Sequence, residues 1–189
     1  MAENYAAIRQ GRFSSHDPAV WKDLLASSLY SIPQVDSVIL GDRTAGQFII
    51  MRYGGAAYRS PLLASVAAQL PPPSDDPRRQ QVLTRDFRPE AWGENARWAI
   101  WDDFGGTAVR HWETPMPGYD SRQRPLHRAA MTAFHDRTLG EARALGDDLV
   151  AWSDIYTLFT IKAPAISASV AARDPSGEVL VVAYDLLLD

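Results

Sequence analysis

Between Asp17 and Ser31 the apolar residues return at helical spacing: Val20, Trp21, Leu24, Leu25 and Leu29, with Ser28, fall on one face. Asp17-Pro18 is a start signal, because Asp caps the first amides and Pro loses nothing at the first helical position. The helix is predicted to stop before Pro33, and Tyr5 to Phe13 reads as the tail of an earlier helix broken at Gly11. The pattern then turns to short β-branched runs. Val35 to Leu40 and Gly46 to Tyr53 flank the turn-like Gly41-Asp42-Arg43-Thr44 and predict a hairpin that ends at Gly54-Gly55. A short Ala/Leu-rich helix is expected from Ser60-Pro61 to about Leu70, followed by a proline-rich loop over Pro71 to Pro77. Arg97 to Trp101 and Thr107 to Trp112 predict a second hairpin across Asp103-Phe104-Gly105-Gly106, and Glu113 to Gly118 a loop. A helix over Pro125 to Arg137 would turn Ala129, Ala130, Ala133 and Phe134 inward. After an acid- and glycine-rich loop from Gly140 to Asp148, Val150 to Thr160, Ala165 to Ala172 and Val179 to Leu187 complete the sheet. Turns fall near Lys162-Ala163-Pro164 and at Asp174-Pro175-Ser176-Gly177. Strand pairs joined by tight turns, with helices grouped at the start and middle, make this an α+β chain with a central antiparallel β-sheet.

The 189 residues, 46% apolar and 22% charged, fit one globular unit and exclude a disordered chain or a coiled-coil rod. No apolar run approaches the ~20 residues of a membrane helix, so the chain reads as soluble. A net charge of −4 offers no general nucleic-acid face. The absence of cysteine excludes a disulfide scaffold, a thiolate metal site and a cysteine nucleophile. His16, His111, His127 and His135 lack metal-ligand spacing, and no nucleophile elbow, phosphate loop or His-Glu-x-x-His motif occurs. The sequence therefore points to no catalytic residue, no metal and no cofactor. Met1-Ala2-Glu3-Asn4 does not begin a signal peptide, and the apolar Leu186-Leu187-Leu188 suggests excision from a longer chain.

Four segments carry a family resemblance. Tyr119-Asp120-Ser121-Arg122-Gln123-Arg124-Pro125-Leu126-His127 resembles the Y-D-x-R-x-R-P-W-Y segment of Cache domains, PAS-like extracytoplasmic sensor modules of bacterial chemoreceptors, histidine kinases and cyclases. Ile32 to Asp42 is similar to the family's P-x-(I/V)-x-x-(I/V)-Y-(I/V)-G-D stretch, and Trp152-Ser153-Asp154-Ile155-Tyr156 to its W-S-D-P-Y strand. Asp174 through Leu186 is similar to its closing D-P-x-G segment. Together they cover most of residues 15 to 188, in the family's order.

The resemblance implies a PAS-like sheet flanked by helices, with residues 1–31 as an N-terminal helical segment and 32–189 as the sensor domain. It implies the membrane-distal lobe of a double Cache domain, or a single-lobe relative, on the periplasmic side of a bacterial inner membrane. Its partners would be a small-molecule ligand, a transmembrane helix, a cytoplasmic kinase, cyclase or chemoreceptor module, and a second copy of the chain through the N-terminal helix. The matching arginine of amino-acid-sensing members meets the ligand carboxylate, which assigns that role to Arg124. A guanidinium fork suits a carboxylate, and a helix starting at Pro125 would add backbone donors. The bland alternative pairs Arg124 with Asp120. Tyr119 could close the pocket or pack beneath the loop. Asp185 matches the acid that holds the ligand ammonium, and an acid in an apolar strand is costly to bury without a partner. Asp154 and Tyr156, two apart on an expected strand, would share a face. Leu126 and His127 depart from the family's Trp and Tyr. Leucine supplies no donor, which shifts the expectation toward a different small carboxylate, anion or zwitterion, with His127 as a pH-sensitive contact. Trp98, Trp101 and Trp112 either line an aromatic pocket for an amine or form core, the commoner use of large aromatics. A ligand-free interaction module is the alternative from another class, and a small extracellular enzyme the third.

Overall fold

The computed structural model describes residues 1–14, 16–53, 70–72, 81–102, 107–139 and 150–188. Helices α1 (Ala2–Arg9) and α2 (Pro18–Ser31) open the chain. The cap expected of Asp17 is made: its Oδ1 accepts from the Ala19 amide at 2.9 Å. Strands β1 (Val35–Gly41) and β2 (Gln47–Arg52) form the first hairpin, and β3 (Val82–Phe87) pairs with β2. A single turn, α3 (Pro89–Trp92), leads to the hairpin of β4 (Asn95–Trp101) and β5 (Ala108–Pro115). A 3-10 turn (Ser121–Gln123) precedes α4 (Pro125–Leu139). The short β6 (Ala151–Trp152) and β7 (Tyr156–Thr157) and the long β8 (Pro164–Arg173) and β9 (Val179–Leu187) finish the sheet.

The sheet runs β5-β4-β3-β2-β1-β9-β8-β6, with β7 also on β8, and its pairs are antiparallel. The first hairpin thus lies beside the last strand at the centre of a PAS-like α+β fold. Helices α1 and α2 cover one face through Ile8, Trp21, Leu25 and Leu29 against Val38, Phe48 and Val182. Helix α4 covers the other, where Leu126 and Ala130 pack with Ile39, Met51, Phe87 and Val181. Burying each such large apolar side chain is worth about 1.5–3 kcal/mol, so the two layers hold the central strands firmly.

Three elements differ from the sequence expectation. Strand β3 is absent from the apolar pattern because Thr84, Arg85 and Asp86 occupy its middle, all three buried. It forms because both flanking strands claim it and its polar side chains find partners. Strand β5 runs three residues past Trp112, since Glu113 to Pro115 keep pairing with Asn95 to Arg97. Val150 to Thr160 is not one strand but two pairs of strand residues separated at Ser153 to Ile155. The expected helix from Ser60, most of the proline-rich loop, the 103–106 turn and the 140–148 loop lie outside the described residues.

Candidate functional site

On the α4 side of the sheet, strands β1, β2, β3 and β9 form the floor of a cavity of about 30 Å³, roofed by Tyr119, Arg124, Leu126, Tyr156 and residues 158–161. That volume admits one or two waters. A register shift between Val35 and Ser37 explains part of the lining. Such a bulge places an extra residue on one strand, so Asp36 and Ser37, neighbours in sequence, both reach the cavity.

One end is acidic. Asp185 is 3% exposed, and its two oxygens accept from Ser37 Oγ at 2.9 Å, Tyr156 Oη at 3.1 Å and Ser167 Oγ. Burial pushes its carboxyl above the usual range against the pull of these hydroxyls and of the Arg124 guanidinium. Asp36, nearby, is pushed up to about 6 by burial first and by the charge of Asp185 second, with Arg52 opposing. Burial and Asp185 push the Tyr156 phenol up, so it remains a hydrogen-bond donor. Arg124 sits at the rim. Its Nη2 donates to the Thr157 carbonyl at 2.9 Å, and its guanidinium lies 5.4 Å from the Tyr156 ring centre.

The other end holds Arg85, which is 0% exposed. Its Nη1 donates to Thr160 Oγ1 at 3.1 Å, and its Nη2 to Tyr119 Oη at 3.2 Å and to Gln47 Oε1. Tyr119 Oη also donates to Gln47 Oε1 at 2.6 Å, and its ring rests against Phe87 and Phe159.

Of the residues singled out from the sequence, Arg124, Tyr119, Tyr156 and Asp185 line the cavity together. The Asp120 alternative for Arg124 does not arise, because Asp120 is held by Arg122 through two contacts of 2.9 Å. His127 and Asp154 lie outside the lining. His127 is buried toward β1, where a side chain at Gly41 would meet its Nδ1 at 3.5 Å, and burial lowers its pKa. Asp154 is exposed because residues 153–155 leave the strand, which removes the alternation that would have paired it with Tyr156. Trp98 and Trp101 are core, and Trp112 stacks on Trp98 at 5.9 Å. Sequence reasoning missed Asp36, Gln47, Arg85 and Thr160; the Arg85-Asp86 pair inside Val82 to Phe87 was the one available signal.

A wider cleft of about 320 Å³ lies on the opposite face between the start of α2 and β3–β5. Its arginines are already paired with acids, Arg88 with Asp86 through contacts of 2.9 and 2.8 Å and Arg97 with Glu113 at 3.0 Å, while Asp17 caps α2. The small cavity is therefore the stronger candidate, since among the described residues no salt bridge joins Asp36, Asp185, Arg85 or Arg124 to an opposite charge. Among the described residues no cluster of His, Asp and Glu could hold a metal ion, and no helix is long and apolar enough to cross a membrane.

No family model and no curated protein matches the sequence. Among solved structures, the ligand-binding domain of the Pseudomonas aeruginosa PAO1 amino acid chemoreceptor PctB, in complex with L-Arg, matches over 97% of this chain and 46% of its own, at 15% identity and a TM-score of 0.45. The ligand-binding domain of the Pseudomonas fluorescens chemoreceptor CtaA, in complex with L-valine, matches over 97% and 49%, at 17% identity and a TM-score of 0.43. The chain is thus similar to chemoreceptor ligand-binding domains and spans about half the length of each.

Proposed function

We propose that this chain is the ligand-binding lobe of an extracytoplasmic Cache-type sensor, and that its cavity takes a small zwitterion. The observation that carries the reading is Asp185, a buried carboxylate in the cavity wall held, among the described residues, by hydroxyls alone, with the Arg124 guanidinium at the same rim. A buried carboxylate without a bonded cation is costly. A ligand ammonium at Asp185 and Asp36 relieves that cost, and Arg124 then faces the ligand carboxylate.

With Leu126 where the resembled family has Trp, the carboxylate loses a donor, so Arg124 bears more of its binding. The cavity is too small for an amino acid as it stands. Admission requires the roof at residues 158–161 to move outward, and a ligand that binds one roof position more tightly shifts the population toward it. In the reading proposed here that shift passes to a transmembrane helix and a cytoplasmic output module, with a second copy docked through α1. The lobe binds and does no chemistry.

Thermal-shift screening of amino acids, carboxylates and amines tests this. A stabilising zwitterion whose effect disappears in Arg124→Ala supports the reading. A screen without any response contradicts it and favours the ligand-free module, for which the small volume speaks.

A further inference from the structure

Arg85 has no part in the reading above, yet it is the most deeply buried cation at the cavity. Its partners Gln47, Tyr119 and Thr160 are all neutral, and its Nε has no hydrogen-bond partner. Among the described residues no carboxylate pairs with it. The next residue in sequence, Asp86, faces the other side of the sheet and is held by Arg88. A guanidinium excluded from water and lacking an anion is an expensive arrangement. The rings of Tyr119 and Trp98, 5.0 and 5.9 Å from its guanidinium, and its three neutral hydrogen-bond acceptors offset part of that cost, but none of them carries a negative charge.

We propose that Arg85 receives a second anionic group of the ligand, so that the site takes an acidic amino acid or a comparable short zwitterion with two carboxylates. This rests on the zwitterion reading and narrows it. The sheet order separates β3 from β9 by β2 and β1, three strand spacings or roughly 14 Å between their axes. Arg85 stands opposite Ile49, and Asp185 opposite Ser37. The long arginine side chain crosses part of that distance. The remainder suits a ligand whose distal anion is set off from its ammonium by a short carbon chain. Ile39, Ile49 and Met51 provide an apolar floor for such a chain between the two ends. Arg124 holds the α-carboxylate, Asp185 the ammonium, and Arg85 with Tyr119 the distal carboxylate.

Isothermal titration calorimetry with L-aspartate, L-glutamate, L-2-aminoadipate and neutral L-glutamine tests the assignment. At least one of the acids is expected to bind about tenfold or more tightly than L-glutamine, the size of a hydrogen-bonded charge contact. In Arg85→Met the ratio of acid to L-glutamine affinity is expected to fall to about one. Arg85→Lys, which keeps the charge, retains part of the preference and serves if the Met variant does not fold. Equal or tighter binding of L-glutamine by the wild type, or a preference that survives in Arg85→Met, overturns the inference and leaves the zwitterion reading standing. Binding of none of the four overturns the inference; failure of the wider amino-acid screen as well overturns the zwitterion reading.

Discussion

Asp36→Asn should stabilise the ligand-free chain near neutral pH and leave it almost unchanged in acid. Asp36 lies in the cavity wall with its carboxyl raised from the ordinary 3.8 to about 6, by burial first and then by Asp185. A raised folded-state pKa means that the native state holds the proton more tightly than the unfolded chain. The stability this group contributes is therefore fully present below its unfolded value and is lost as pH rises through about 6. Two pH units at 1.36 kcal/mol each make the loss about 3 kcal/mol above that range. Asparagine mimics the neutral acid and never charges. Asp36→Asn should gain about 2–3 kcal/mol at about pH 7.5, or roughly 5–10 °C in melting temperature, and close to nothing at about pH 4. Urea titrations of both proteins at the two pH values measure this directly. A variant less stable than wild type at neutral pH, or a gain of equal size at both pH values, would refute the argument that the acidic end is strained. The same variant should bind amino ligands more weakly, since the charge that strains the empty cavity is the one that meets an ammonium.

His127 gives the opposite pH dependence. Burial lowers its pKa below the ordinary 6.5, so the stability it contributes is present above 6.5 and is lost as pH falls through the lowered value. His127→Gln should flatten the acid limb of a urea-midpoint profile, and an unchanged limb would argue against a buried neutral ring. Asp17→Ala removes the α2 cap and should cost about 1 kcal/mol, or about 2–4 °C, by thermal melting. Leu126 is 3% exposed and lies between α4 and the cavity. Leu126→Ala should lower unfolding free energy by about 2–5 kcal/mol in urea titration.

Much of the fold was legible where one physical signal dominated. The β-branched runs of β1 and β9 and the capped, amphipathic α2 appear close to where the sequence puts them. Strand β3 was not legible, because polar residues in a strand announce burial only once partners from β2 and the roof are in place. The site divides in the same way. Tyr119 and Arg124 lie in one motif, and Tyr156 and Asp185 in two others. Their convergence follows from β9 lying beside β1 and from β7 pairing with β8. Asp36 entered through a bulge, and Arg85 through a strand the pattern did not reveal. His127 and Asp154 were placed by motif position. One ring turns toward β1, and the other side chain lies on a stretch that has left the sheet.

The most direct measurement is a crystal structure of the chain grown with a saturating concentration of whichever of L-aspartate, L-glutamate and L-2-aminoadipate binds most tightly. The account predicts the amino acid inside the small cavity, its ammonium against Asp185, its α-carboxylate against Arg124 and its side-chain carboxylate against Arg85. A cavity occupied by water alone, or a ligand seated instead in the Trp92–Trp101 cleft on the opposite face, would contradict it.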